Sequence, residues 1–240
     1  MSDSAMAFGA AYYPEHRDPG RWEHDLDMMA GASVTALRVG EFAWTRFEPA
    51  EGHYDFAWMD RFAALAIERG IRLLMCPPFR TAPAWLVEKY PSIKLETDHG
   101  VRLEFGSRYS FCINQPAYRE KVLALAAELA GHYAGKDFIL GWHLDNEYGD
   151  EPDCHCPVCR DRFQSWLRAR YGSIERLNHA WGNVFWSLEY SHFGQVPTPR
   201  ASKTSHSPAH LMNWRRFRSD CNVEMIALHA GMLRKRGAME

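Results

Sequence analysis

The chain has 240 residues, 46% of them hydrophobic and 24% charged, and 28 Lys and Arg against 30 Asp and Glu leave a formal charge of -2. That length suits one large domain, since domains run to about 250 residues with α/β barrels near the top of the range. The balanced charge, without a long basic or acidic run, disfavours nucleic acid as a partner, and no apolar run nears the roughly 18 residues of a membrane helix.

The opening, Met1 to Tyr13, has no basic segment leading into a long apolar stretch, so no secretory signal is read and a cytoplasmic setting is expected. Phe8 to Tyr13 is a short apolar run stopped by Pro14 and predicts a strand; Trp22, Leu26 and Met29 then keep helical spacing up to Gly31. Val34 to Gly40 is apolar and β-branched, a second strand. Tyr54 to Arg69 carries Trp58, Phe62 and Leu65 on one helical face and closes at Gly70, before a third strand, Ile71 to Cys76, that Pro77 and Pro78 stop. Asn114 and Pro116 start a helix lined by Tyr118, Val122, Leu125 and Leu129, and Phe138 to Leu144 predicts a fourth strand. Positions 183–208, rich in Ser, Thr, His and Pro, read as a long surface loop, and Leu211, Trp214, Phe217, Cys221, Met225 and Leu228 space out a final helix from Pro208 to Arg236.

Strands alternating with helices, with no tight hairpin signal, argue for parallel βα units. No glycine-rich phosphate-binding stretch follows any strand, which moves a (β/α) barrel ahead of a nucleotide-binding open sheet. A closed barrel needs eight strands and four are counted. The expected fold is therefore α/β, the N-terminal half of a TIM (β/α)8 barrel over residues 1–240, about four βα units plus a following helix.

Along the fourth strand, alternation puts Phe138, Leu140, Trp142 and Leu144 on one face, expected to pack on helices, and Ile139, Gly141, His143, Asp145 and Glu147 on the other, with Glu147 at the carboxyl end. Barrel catalysis occurs at that end, so a carboxylate after Asn146 suits proton transfer, although an Asn-Glu pair can equally cap a helix. On the second strand Arg38 and Glu41 bracket Gly40, whose freedom to bend lets both aim at the same mouth; an ion pair holding the strand end is the plainer alternative. Arg108 lies in a loop where it can clamp a hydroxyl or carboxylate, or simply be solvated.

Cys154, Cys156 and Cys159 fall within six positions and can fill three corners of a tetrahedron around a structural Zn²⁺. Cys112, which opens the helix before the fourth strand, is the preferred fourth corner, in competition with His155, His143, Cys76 and Cys221. Metal-free buried thiols are the alternative. A zinc loop around 112 and 154–159, saturated by four thiolates, would hold chain segments together and leave no position for water.

Several stretches together resemble the N-terminal catalytic region of family 42 glycoside hydrolases, the β-galactosidases. They are Tyr12 to Glu15, Leu37 to Trp44, Glu48 to Phe56, Arg108 to Cys112, Trp142 to Tyr148, the cysteine cluster, Ala180 to Gly182 and Phe185 to Ser187. The resemblance implies a retaining glycosidase on a (β/α)8 barrel that acts on terminal β-D-galactosides, with Glu147 as general acid/base and Asn146 holding the sugar 2-hydroxyl. It matches Arg38, Glu41, Arg108 and Trp186 to galactose-binding positions, and Cys112, Cys154, Cys156 and Cys159 to zinc ligands. It places the nucleophilic Glu on the seventh strand, outside this sequence, and implies a homo-oligomer, a trimer, for full-length members. The implied outcome for the chain alone is no turnover; a non-catalytic, zinc-stabilised sugar-binding or interaction module is the rival, and a metal-dependent hydrolase with an open zinc a second one.

Overall fold

Leu37 and Val39, two residues apart, are fully buried, and so are Leu73 and Met75 on the neighbouring strand; a strand packed on one face requires that alternation. In the computed structural model, which describes residues 7–149 and 152–238, they belong to a four-stranded sheet of β1 (Gly9–Ala11), β2 (Ala36–Val39), β3 (Arg72–Met75) and β4 (Ile139–Trp142). The strands lie in sequence order and every pairing is parallel, which forces a crossover between each pair. The crossovers carry α1 (Trp22–Gly31), then α2 (Trp44–Phe47) and α3 (Ala57–Glu68), then α4 (Ala84–Lys89) and α5 (Pro116–Tyr133). After β4 come α6 (Pro157–Tyr171), α7 (Ile174–Trp181) and α8 (Pro208–Lys235).

The chain divides into two compact units. The first, Met1–Lys89 with Glu120–Glu147 and Ile226–Glu240, holds the whole sheet. Aromatic rings weld its helices to the strand ends: Phe62 of α3 stacks on Tyr12 at 5.4 Å and meets Trp22 of α1 edge-on at 5.6 Å, and the Tyr12 hydroxyl donates to Asp25. The close approach of β1 to β2 depends on Gly9, where a Cβ would stand 2.4 Å from the Ala36 carbonyl oxygen.

The expected alternation along β4 holds only in part. Leu73 pairs with Ile139, Leu74 with Gly141 and Met75 with Trp142, so Leu140 is the extra residue of a bulge, where one strand spends two residues opposite one of its neighbour. Ile139 therefore shares the face of Leu73, and Leu140, expected to pack on helices, is 40% exposed. Trp142 keeps its expected face with Met75, and Gly141 lies with Leu74.

The second unit, Tyr90–Arg119 with Tyr148–Met225, has a core of its own. Phe163 of α6 meets Trp214 of α8 edge-on at 5.1 Å and packs on Phe217, while His210 stacks on Trp181. Pro157 opens α6 in its first turn, where a missing N–H costs nothing, and the Ser173 hydroxyl caps α7 by accepting from the Arg176 N–H. The predicted surface loop contains two short 3₁₀ turns, Phe185–Ser187 and Phe193–Gln195. Among the described residues no helix is long and apolar enough to cross a membrane.

Candidate active site and metal centre

At the carboxyl end of β2, Gly40 takes φ +86° and a Cβ there would come within 3.1 Å of the Cys76 carbonyl oxygen, so only glycine makes the bend. Past it, Glu41 turns back and its Oε2 accepts from the Arg38 guanidinium at 2.8 Å and from the Tyr13 hydroxyl at 2.8 Å. Glu41 is 3% exposed. Arg38 and Glu41 are thus the ion pair that the sequence allowed as the plainer alternative, held at the strand mouth. Cys76, just past β3, and His143, just past β4, meet at the same level, Sγ to Nδ1 3.0 Å. Burial pushes the Cys76 thiol up and the His143 imidazole down, so both are held neutral. Nearby in sequence to Tyr13, Glu15 has both carboxyl oxygens buried without a hydrogen-bond partner, and desolvation raises its pKa.

Beyond His143 the chain leaves regular β structure. Asp145 takes φ +76° and Glu147 φ +48°, the left-handed region that costs a non-glycine residue about 1 to 3 kcal/mol and persists where the surroundings over-determine it. One source of that determination is Arg80, whose Nε lies 2.6 Å from the Asp145 carboxylate with both side chains almost fully buried. Asn146 is buried beside this pair in sequence, and Glu147 is exposed. The expected neighbours Arg108 and Trp186 belong to the second unit. Arg108 is exposed and lies over the Tyr109 ring, 4.8 Å from its centroid. Trp186 is 67% exposed, sits at φ +58°, stacks on Phe185 and borders a cleft of about 540 Å³ that Trp181, Tyr190 and His210 also line.

The second unit gathers Cys112, Cys154, Cys156 and Cys159, whose sulfurs all lie within 4.8 Å of one another. Cys112 Sγ is 3.4 Å from that of Cys159 and 3.8 Å from that of Cys156. All six cysteines of the chain are free thiols. The preferred fourth corner thus joins the other three, whereas Cys76 and His143 lie in the first unit with Glu41. His155 stacks on Trp214 at 5.0 Å, and Cys221 lies in the apolar core of the second unit. A sulfur–metal bond of about 2.3 Å puts tetrahedral corners about 3.8 Å apart, so the donor set fits a metal ion. Side-chain amides complete it: Asn114 Nδ2 donates to Cys159 Sγ at 3.4 Å and Gln115 Nε2 to Cys156 Sγ at 3.5 Å. The hydrogen bond with Cys112 pushes Cys156 toward the thiolate, while the same network raises Cys112. Sequence reasoning had Asn114 only as a helix start, and it missed Arg80 and the Cys76–His143 contact, for which no local motif exists.

Comparison with known proteins bears on these groups. The family model for glycoside hydrolase 42, described as beta-galactosidase, matches residues 11–238. A β-galactosidase of Halorubrum lacusprofundi is 40% identical over 232 residues, covering 96% of this chain and 33% of the relative, and one of Thermus thermophilus is 39% identical, covering 92% and 36%. Among solved structures, the β-galactosidase of Rahnella sp. R3 superposes with a TM-score of 0.94 at 34% identity, covering 99% of this chain and 35% of that one. The chain spans about a third of the length of these relatives. The catalytic domain of a Paenibacillus polymyxa β-amylase, 15% identical with a TM-score of 0.74, shares the fold. The four parallel βα units are those of the N-terminal half of a (β/α)8 barrel.

Proposed function

Since the chain belongs to glycoside hydrolase family 42, whose named relatives are β-galactosidases, we propose that it supplies the proton-transfer half of a site that cleaves terminal β-D-galactosides with retention. The observation that carries this reading is the Asn146–Glu147 pair at the carboxyl end of β4, where one buried and one exposed polar side chain follow a backbone tethered through Arg80 and Asp145. Glu147 protonates the glycosidic oxygen as the bond to the anomeric carbon breaks. A Glu outside this sequence attacks that carbon and forms a galactosyl ester; the retaining route needs the two carboxyl groups about 5 to 5.5 Å apart. Glu147, now ionised, takes a proton from water as the ester is hydrolysed. Asn146 holds the sugar 2-hydroxyl, and Arg38 and Glu41 hold the galactose.

Cys112, Cys154, Cys156 and Cys159 hold Zn²⁺, which, saturated by four thiolates, supplies loop ordering and no Lewis-acid chemistry. The whole protein is proposed to be a homo-oligomer, a trimer. A non-catalytic zinc module is the weaker reading, because β-galactosidase relatives match across nearly the whole chain. The test is a chimera in which this chain replaces the matching 36% of the Thermus thermophilus β-galactosidase. The chimera should hydrolyse an aryl β-galactoside and the 240-residue chain alone should not. A chimera that folds and assembles like its parent yet stays silent, or turnover by the isolated chain, would overturn the proposal.

A further inference from the structure

The end of the sheet carries a set of three donors, two of which, Cys76 and His143, the proposed glycoside chemistry does not use. Glu41, Cys76 and His143 come from the ends of three adjacent strands, and one ligand atom of each lies within 4.8 Å of the others. Their arrangement is built, since β2, β3 and β4 hold them in register: Val39 pairs with Met75 and Met75 with Trp142, one residue before the bend or the donor in each case. Glu41 spends one oxygen on Tyr13 and Arg38. Its other oxygen, Oε1, is buried with no hydrogen-bond partner, on a side chain that is 2% exposed. A buried carboxylate oxygen left unpaired costs on the order of 1 to 3 kcal/mol, more when charged, so an ionised Glu41 is short of one cationic or donor partner on that side.

We propose that Glu41, Cys76 and His143 form a second metal site, distinct from the tetrathiolate cluster, that takes a borderline-soft divalent cation such as Zn²⁺ or Co²⁺ with a water in the fourth position. One thiolate, one imidazole and one carboxylate are the mixed donor set that such ions accept and that Ca²⁺ and Mg²⁺ do not. The geometry needs a small adjustment: bonds of about 2.3 Å to sulfur and 2.0 Å to nitrogen put those atoms about 3.5 Å apart around a tetrahedral ion, against 3.0 Å in the hydrogen-bonded, metal-free pair. On binding, the Cys76 thiol loses its proton to solvent, and the cation replaces that proton between Sγ and Nδ1 while also meeting a carboxylate oxygen of Glu41. The thiolate and the Glu41 carboxylate offset the charge brought in beside Arg38. His143 is partly exposed, so the fourth position opens toward solvent. The site rests on these residues alone and stands whether or not Glu41 also binds galactose.

The experiment compares the 240-residue chain with Cys76→Ala and His143→Gln, each checked for fold by circular dichroism. Each protein is titrated with Zn²⁺ against a chelating indicator, then with Co²⁺ followed by visible absorption. The parent should bind one equivalent more than either variant, and the extra Co²⁺ should show a weak single-thiolate charge-transfer band and d–d bands of tetrahedral intensity. In the variants that equivalent should weaken by about a hundredfold or more, a loss that even outer-shell changes can cause. The parent-minus-variant difference isolates this site whatever the four-cysteine cluster holds. Equal stoichiometry in parent and variants, or an extra equivalent whose cobalt spectrum lacks thiolate character, would overturn the proposal.

Discussion

Replacing Cys156 by Ser removes one corner of the tetrathiolate cluster while keeping the shape of the loop that carries it. Cys156 is 1% exposed, stands 3.8 Å from Cys112 across 44 positions of sequence and precedes the first turn of α6. A metal there ties the segment around Cys112 to the segment after β4, so binding energy is folding energy for the second unit. With free Zn²⁺ about a thousandfold above its dissociation constant, mass action stabilises the bound state by about 4 kcal/mol. At about 2 to 4 °C per kcal/mol for a chain of this size, the parent should melt about 8 to 16 °C higher with Zn²⁺ than after chelation. The Ser variant should lose most of that difference and hold about one zinc per chain fewer than the parent. Differential scanning fluorimetry with and without Zn²⁺, beside elemental analysis, reads both quantities. A parent that melts at the same temperature with and without Zn²⁺, or a variant that keeps the full shift, would refute the assignment of these four sulfurs as ligands.

Arg80→Met should destabilise the chain by about 3 to 5 kcal/mol in urea unfolding, because it removes the cation beside the buried Asp145 carboxylate; a loss below about 1 kcal/mol would show that the pair does not hold the Asn146–Glu147 turn. His210, stacked between Trp181 and Phe163, has its pKa lowered by burial to about 4 from 6.5. The unfolded chain therefore binds the proton first as pH falls, so stability should be full above pH 6.5 and decline toward pH 4, by about 3 kcal/mol from this group. His210→Gln should flatten that decline, and an unchanged slope would remove His210 as its source.

The parallel βα order was legible because the strands are short apolar runs, the first three closed by Gly or Pro, and each long crossover helix shows one apolar face. Phe62 and Leu26, placed by spacing alone, are fully buried. The helix α6 escaped notice since its buried residues, Cys159, Phe163 and Leu167, are interleaved with Arg, Asp and Gln and its start lay inside the cysteine cluster. The bulge at Leu140 was invisible because alternation is counted along one strand and a bulge exists only between two. At the site, Gly40 announced the bend that brings Arg38 to Glu41, and the close spacing of three cysteines announced the thiol cluster that Cys112 completes. Arg80 and Asp145 lie 65 positions apart and Cys76 and His143 lie 67 apart; only strand pairing makes them neighbours.

The measurement that bears most directly on Glu147 is the leaving-group dependence of galactoside hydrolysis by the Thermus chimera, with and without Glu147→Ala. If Glu147 is the acid/base, the variant should lose about 10²- to 10⁴-fold on alkyl galactosides, whose departing oxygen is basic, and much less on activated aryl galactosides. Added azide should then restore turnover of the activated substrate and yield a β-galactosyl azide, since a small anion replaces water without needing a base. Equal losses for every leaving group, and no azide product, would contradict the account.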